Sequence, residues 1–317
     1  MQIFNSLAEI PSEFGPAVAA IGNFDGVHRG HRYVLAQVLD RARGRNARAV
    51  ALTFDPHPIR VLRPDVPFKL ITPLASKLEL LATTGIDAVV VLPFTRVFSE
   101  TPAYTFAEQV LARGIRAIEV HEGDNFRFGK DAGAGTAELA AFGRELGFSV
   151  VVYSAQHAHG SIVSSSAVRE RIAAGDLRRT RWMLDRSFFI DAAPARGRGI
   201  GAKLLVPTIN LAAYPELLPA HGVYVTQLVV AGRCFNAVTN IGNRPTFGED
   251  SFAVESYLLN YDPAAEPVEL SEQTQMRLHF LARIREERKW PTPEALKAQI
   301  MKDVGFAQRY FRLAQSH

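Results

Sequence analysis

The sequence predicts two folds in series: an open α/β sheet of parallel strands, then a small antiparallel β-barrel with a C-terminal helix. Three observations carry this reading. Up to about residue 184, short apolar runs alternate with segments of helical spacing. From about residue 185, extended runs follow one another with turns between them and no helices. The final stretch bears one apolar stripe at helical spacing. The 317 residues also suit about two domains at roughly 150 residues each.

In the first half, residues 17–21, 49–54, 88–92, 115–120 and 148–153 are short, apolar and bounded by Gly, Pro or Asp. Strands buried on both faces of a parallel sheet read this way. Between them, Leu35, Val38, Leu39 and Ala42 recur at helical spacing, as do Phe106, Val110 and Leu111, then Leu139, Phe142 and Leu146. Right-handed crossovers follow for such alternation. Residues 129–135 (GKDAGAG) read as a flexible loop, and residues 166–174 as a helix near the end of this domain. In the second half, strands are expected at 188–191, 222–230, 234–241, 252–261 and 275–284, with Ala231-Gly232-Arg233 as a hairpin turn. Thr292 is the expected N-cap of the last helix, with Pro293 at its first position. Leu296, Ile300, Val304, Ala307 and Phe311 form its stripe.

Composition excludes several classes. Hydrophobic residues are 47% and charged residues 21% of the chain, which is ordinary globular usage and not that of a disordered protein. The net charge of +4 suits an anionic small molecule as well as a nucleic acid. The basic residues are interspersed with acids and no DNA-binding motif is present, so no nucleic-acid partner is expected. Cys234 stands alone and forms no internal disulfide, which fits a reducing compartment. No run reaches the ~20 apolar residues of a membrane-spanning helix, and no secretory signal is readable. A cytoplasmic protein without a membrane partner is the expectation, and a homo-oligomer is left open.

Four stretches of the first half carry chemistry. Residues 22–31 (GNFDGVHRGH) follow the first strand and open the first helix. Gly22 and Gly26 allow close backbone approach, and a helix N-terminus favours a phosphate. His28 and His31, three apart, share a face and can donate to a phosphate that gains charge. A capped helix start with two surface histidines, or a zinc site, are the other readings. Residues 54–58 (FDPHP) end the second strand, where open α/β sheets bind ligands; Asp55 and His57 can reach that crevice, or the motif is a rigid turn. In residues 123–129 (GDNFRFG), Asn125 can bond a ring edge, and Phe126 and Phe128 can flank a planar ligand or belong to the core. In residues 164–169 (SSSAVR), Ser164, Ser165 and Arg169 offer what a triphosphate needs, or a Ser-rich cap with an exposed Arg.

In the second half, the Gly/Arg-rich residues 196–203 precede 207–211 (PTINL). Thr208 and Asn210 offer oxygens on one side of an extended segment, which suits a magnesium ion bridging phosphates. Glu255 lies inside an apolar strand, as a general base for a hydroxyl nucleophile or as an edge-strand charge.

Together these motifs resemble the bacterial bifunctional riboflavin kinase/FMN adenylyltransferase (FAD synthetase) family, in the right order over nearly the whole chain. The four stretches of the first half resemble its adenylyltransferase module. PTINL, residues 241–247 (IGNRPTF), the strand bearing Glu255 and residues 284–290 (IREERKW) resemble its riboflavin kinase module. The resemblance implies a Rossmann-like nucleotidylyltransferase domain over 1–184 and a riboflavin kinase-like barrel over 185–317. It implies riboflavin, FMN and ATP as substrates, with Mg²⁺. It places Gly22, Phe24, Gly26, Ser164, Ser165 and Arg169 around ATP, with His28 and His31 as catalytic groups, and His57 and Asn125 near the flavin. In the kinase module it implies Thr208 and Asn210 on Mg²⁺, Glu255 as the base for the ribityl hydroxyl, and Arg285 and Glu287 near the flavin. The chain departs from the family at Leu205, where a glycine is usual, and at Ser256, where His is common. An adenylyltransferase whose barrel binds flavin without phosphorylating it is the second reading.

Overall fold

The computed structural model describes residues 1–158, 160–195, 208–243, 252–262, 267–271, 273–288 and 290–314. They form two compact units, Met1–Ala167 and Val168–His317. Among the described residues, no helix is long and apolar enough to cross a membrane.

The first unit is built on six parallel strands: β1 (Gln2–Phe4), β2 (Ala17–Ile21), β3 (Arg48–Asp55), β4 (Ala88–Pro93), β5 (Ala117–Gly123) and β6 (Ser149–Tyr153). Their order is β1-β4-β3-β2-β5-β6. The order reverses between β2 and β5, and ligands of open α/β sheets bind outside the carboxyl ends of strands at that point. Every residue of β2 is buried, because helices cover both of its faces. The helices are α1 (Arg29–Gly44), α2 (Pro58–Leu62), α3 (Leu74–Ala82), α4 (Arg96–Ser99), α5 (Ala103–Phe106) and α6 (Thr136–Leu146). A π-helical stretch, Ala107–Gly114, continues α5. Leu35, Val38 and Ala42 bury one face of α1, as their spacing predicts.

Three features differ from the sequence expectation. β5 starts at Ala117, not at Ile115. Ile115 still has helical backbone, and Arg116 takes a positive φ that turns the chain into the strand. β1 has no counterpart in the sequence expectation, because three residues with one inward side chain, Phe4, carry no period. The 129–135 segment holds a short 3₁₀ turn, Lys130–Ala132, and is closed at its base, where Phe128 and Ala134 exchange backbone hydrogen bonds at 3.0 and 3.2 Å. Two short strands, β7 (His157–Ala158) and β8 (Ser161–Ile162), follow β6.

Helix α7 (Ser165–Ala173) spans the boundary of the units, and α8 (Leu177–Leu184) follows it, N-capped by Asp176. The second unit then forms β9 (Phe188–Ala192), β10 (Pro194–Ala195), β11 (Thr208–Leu211), β12 (Gly222–Val230), β13 (Arg233–Asn243), β14 (Phe252–Leu258) and β15 (Met276–Arg285). The antiparallel order is β10-β11-β14-β13-β12-β15-β9. Only Ala193 separates β9 from β10, so the two edges of the sheet belong to one stretch of chain and the sheet curls into a barrel. The β12–β13 turn places Ala231 and Gly232 at positive φ, the geometry a two-residue hairpin favours. Tyr224, Phe188 and Phe280 fill the interior. So does a chain of buried hydroxyls, Thr226 to Thr239 at 2.7 Å and Thr239 to Ser256 at 2.8 Å. The last helix, α9 (Pro293–Ala314), is capped by Thr292, whose Oγ1 accepts from the Ala295 amide at 3.2 Å. Val304, Ala307 and Phe311 pack it onto Val223, Val225 and Val238.

Candidate active site

The first unit holds a cleft of about 930 Å³ at the carboxyl ends of β2 and β5. Gly22, Phe24, His28 and His31 line it from the β2–α1 side, and Glu122 and Asn125 from the β5 side. The position matches the switch point of the sheet.

His28 caps α1: its Nδ1 accepts from the His31 amide at 3.3 Å, so its neutral form carries the proton on Nε2. The capped-helix reading therefore holds, and the pair does more than cap. The two imidazoles stack at 3.6 Å with 16° between planes, and Phe24 meets His31 edge-on at 5.2 Å. Burial, then the neighbouring His28 and Lys77, hold the His31 imidazole well below its ordinary pKa. It is neutral at pH 7, and its Nδ1 is buried without a partner among the described residues. A neutral His31 imidazole beside His28 at the positive end of a helix dipole suits a phosphate that gains charge during attack. A Cβ at position 30 would press on the His28 ring at 3.2 Å, so Gly30 keeps that ring in place. A metal-binding reading of the pair lacks further ligands: among the described residues no cluster of three or more His, Cys, Asp or Glu is arranged to hold an ion.

The loop before α1 is anchored by residues the motif reading did not assign. The buried Asp25 carboxylate accepts from the Ile71 amide at 3.0 Å and from the Thr72 amide at 3.0 Å. The Gly26 amide donates to Thr72 Oγ1 at 3.0 Å and the Gly22 amide to the Leu52 carbonyl at 2.9 Å. Both amides thus serve the fold and are not the phosphate donors the motif suggested. Lys77 Nζ donates to the Asn23 carbonyl at 3.2 Å and to Thr53 Oγ1 at 3.1 Å; burial lowers its pKa. Glu122 takes the Ile21 amide at 2.7 Å where the β2–β5 ladder has ended, and burial pushes its carboxyl pKa well up. No sequence signal marked Lys77, one buried cation on an ordinary helix. For Glu122 the signal was present: Glu119, His121 and Glu122 crowd the end of an otherwise apolar strand.

The other first-half residues separate. Asn125, Ser164 and Ser165 line the cleft. Ser164 Oγ also accepts from the Ala167 amide at 3.2 Å, and Ser165 Oγ donates to the Asp25 carbonyl at 2.9 Å. Phe128 belongs to the core and stacks on Phe126 at 5.4 Å, and both border the cleft. His57 is buried, caps α2 through Ile59 and lies 4.5 Å from Phe68, off the cleft wall; Asp55 is likewise not on it. Arg169 lies on α7 beyond Ala167, where the first unit ends.

In the second unit, register places Asn210 opposite Glu255 and Glu255 opposite Asn240, so three neighbouring strands present these side chains on one face. Asn210 Oδ1 is buried without a hydrogen-bond partner among the described residues, and Thr208 sits two residues earlier on the same face. Such oxygens fit a hard cation. The Glu255 side chain is exposed and makes no hydrogen bond to another described residue. Arg285 is occupied: it holds Asp303 of α9 at 2.8–3.2 Å and lies 5.6 Å from the Trp290 ring. Glu287 lies against the bare backbone of Gly242, where a Cβ would collide with its carboxylate. Residues 196–207, 244–251 and 263–266, with the glycine-rich run, Leu205 and most of IGNRPTF, lie outside the described residues.

Comparison with known proteins agrees with both halves. A family model described as FAD synthetase matches residues 10–167, and one described as riboflavin kinase matches residues 184–311. The bifunctional riboflavin kinase/FMN adenylyltransferase of Escherichia coli K12 is 31% identical over 98% of this chain and 97% of its own. The like-named protein of Pseudomonas fluorescens is 31% identical over 97% of each chain, and that of Bacillus subtilis 29% over 95% of each. A solved structure described as a macrolide-efflux protein from Streptococcus pneumoniae superposes with a TM-score of 0.85 over 96% of this chain and 98% of its own. At 21% identity that likeness shows the fold alone. With two matching domains in series and full-length relatives above 30% identity, the chain belongs to the bifunctional riboflavin kinase/FMN adenylyltransferase family.

Proposed function

We propose that this chain makes FMN and FAD in two successive transfers. Residues 185–317 move the γ-phosphoryl group of ATP onto the 5′-hydroxyl of riboflavin, releasing ADP. Residues 1–184 let an FMN phosphate oxygen attack the α-phosphorus of a second ATP, releasing pyrophosphate. The observation that carries the adenylyl step is the stacked His28–His31 pair at the N-terminus of α1 within the cleft. Negative charge builds on the phosphate oxygens as the bond to pyrophosphate breaks, and the imidazole N–H groups stabilise it. Ser164, Ser165 and Arg169 hold the triphosphate, and Asn125 places the flavin end.

In the barrel, Glu255 takes the proton of the ribityl hydroxyl as it attacks. Thr208 and Asn210 would hold Mg²⁺, which when bound neutralises charge on the transferring phosphates. The partnerless Asn210 Oδ1 supports that assignment. The test is product analysis with riboflavin, ATP and Mg²⁺. The wild type is expected to give FMN and then FAD. Glu255→Gln is expected to make FAD only from supplied FMN, and His28→Ala with His31→Ala to stop at FMN. A wild type that makes FAD only from supplied FMN would favour a barrel that binds flavin without phosphorylating it.

A further inference from the structure

Tyr153 ends β6 on the wall of the cleft and carries a hydrogen-bond chain that the transfer chemistry leaves unused. Its hydroxyl lies 2.8 Å from His121 Nδ1, and His121 Nε2 lies 2.8 Å from Glu119 Oε1. His121 and Glu119 are 0% and 1% exposed. Glu119 is fixed in turn by Arg41 at 2.7 and 2.9 Å, by Arg45 at 2.8 Å and by Ser149 Oγ at 3.2 Å.

The chain has one consistent proton arrangement. Arg41, with smaller help from His121 and Arg45, holds the Glu119 carboxyl at about 2 against the cost of burial, so it only accepts. The proton shared with His121 therefore sits on Nε2. Burial keeps the His121 imidazole below its ordinary value, hence neutral, and its Nδ1 accepts. Tyr153 must then spend its single proton inward. Its oxygen keeps only acceptor capacity for the cleft, and no other described residue hydrogen-bonds it.

Strand order says which ligand group meets that oxygen. Phe54, next to last in β3, and Tyr153, which ends β6, stand three strand spacings or about 14 Å apart, and the His pair follows β2 between them. Phe54, Phe94 and Phe98 pack at 5.6–6.1 Å on the β3 side, which suits a wide flavin ring. On the β6 side Tyr153 meets Tyr33 of α1 at 5.5 Å and 89°, beside the helix start that would hold the phosphates. A ligand with phosphates at α1 and a flavin on the β3 side has its second base here.

We propose that Tyr153 selects the nucleotide: its outward lone pairs accept from the exocyclic amino group of adenine and disfavour a keto oxygen in that place. Glu119 and His121 are positioning residues that set its polarity. This rests on the cleft being the adenylyl-transfer site.

The test compares kcat/KM for FAD-type product formation with ATP and with inosine triphosphate, in which a keto oxygen replaces the 6-amino group and N1 gains a proton, so the effect of each variant on that ratio is read against the wild-type ratio. Tyr153→Phe is expected to lower the ATP preference about tenfold, one good hydrogen bond's worth, with the KM for FMN unchanged. Glu119→Gln should invert the polarity. Its amide donates to His121 Nε2, the imidazole proton moves to Nδ1 and points at Tyr153, and the tyrosine proton turns outward. Inosine triphosphate then gains on ATP, which a merely structural role would not produce. If Glu119→Gln does not fold, Tyr153→Phe alone decides. An unchanged nucleotide ratio in Tyr153→Phe, or a raised KM for FMN in its place, would overturn the proposal. A wild type that makes no FAD from FMN and ATP would instead sink the adenylyl-transfer reading, and this proposal with it.

Discussion

Replacing His28 separates its two jobs, because only one of them can be supplied by another residue. His28→Ala removes the acceptor that the His31 amide reaches at 3.3 Å. Loss of an N-cap costs about 1 kcal/mol, or roughly 2–4 °C in the melting temperature of a domain of this size. It also removes the donor stacked 3.6 Å from His31, and deleting a preorganised donor to a charged transition state costs about 10²–10³ in rate. Asn is a good N-cap but offers no imidazole at that reach. His28→Asn is therefore expected to recover most of the lost melting temperature while FAD formation from FMN stays down by about 10²–10³. The assays are thermal denaturation and initial-rate FAD formation from FMN and ATP, with riboflavin phosphorylation as the control. A His28→Asn enzyme with wild-type FAD formation would show that the residue only caps α1, and the transition-state role would be refuted.

Glu122 gives a stability prediction with a defined sign. Burial raises its folded pKa, so as pH rises past the ordinary carboxylate range the unfolded chain ionises first and stability falls until the folded value is passed. Glu122→Gln keeps an acceptor for the Ile21 amide and removes that penalty. Its melting temperature should match the wild type near pH 4 and exceed it increasingly toward pH 8; a constant offset across that range would contradict the assignment. In the barrel, Arg285→Ala leaves the Asp303 carboxylate, 3% exposed, with Gln299 at 2.8 Å as its one side-chain partner among the described residues. A buried carboxylate stripped of its partner costs about 3–5 kcal/mol, which urea denaturation of the second unit would read. A loss below about 1 kcal/mol would mean that water already screens the pair. Double replacement, Arg285→Met with Asp303→Leu, should recover most of the loss.

The parts of the fold that were legible are those whose signal is local. β2, β3, β4 and β12 are apolar runs buried along their length, so their bounds sit within a residue or two of the sequence expectation. Thr292 and Pro293 mark the start of α9 by their own chemistry. α3 was not legible, because its buried face carries Ser76 and Lys77 and breaks the apolar stripe. The His28–His31 pair stood out because its geometry needs only one helical turn. Its anchors did not: Asp25 meets Thr72 across 47 positions, and Ile21 meets Glu122 across 101. A side chain's partner at that separation is set by strand order, which follows from packing of the whole sheet and not from any window of sequence. For the same reason Arg285 reads as a site residue in IREERKW, while the fold gives its guanidinium to Asp303 of α9.

Adenylyl transfer at the His28–His31 pair requires ATP to bind at the start of α1 in the first unit. The direct measurement is a crystal structure of the full chain with FMN and a non-hydrolysable ATP analogue. The result expected is the triphosphate at the first turn of α1, within hydrogen-bond reach of His28 and His31, with the flavin toward Phe54 and the adenine toward Tyr153. An analogue bound elsewhere, with both imidazoles turned to bulk water and the β2–β5 cleft empty, would contradict it.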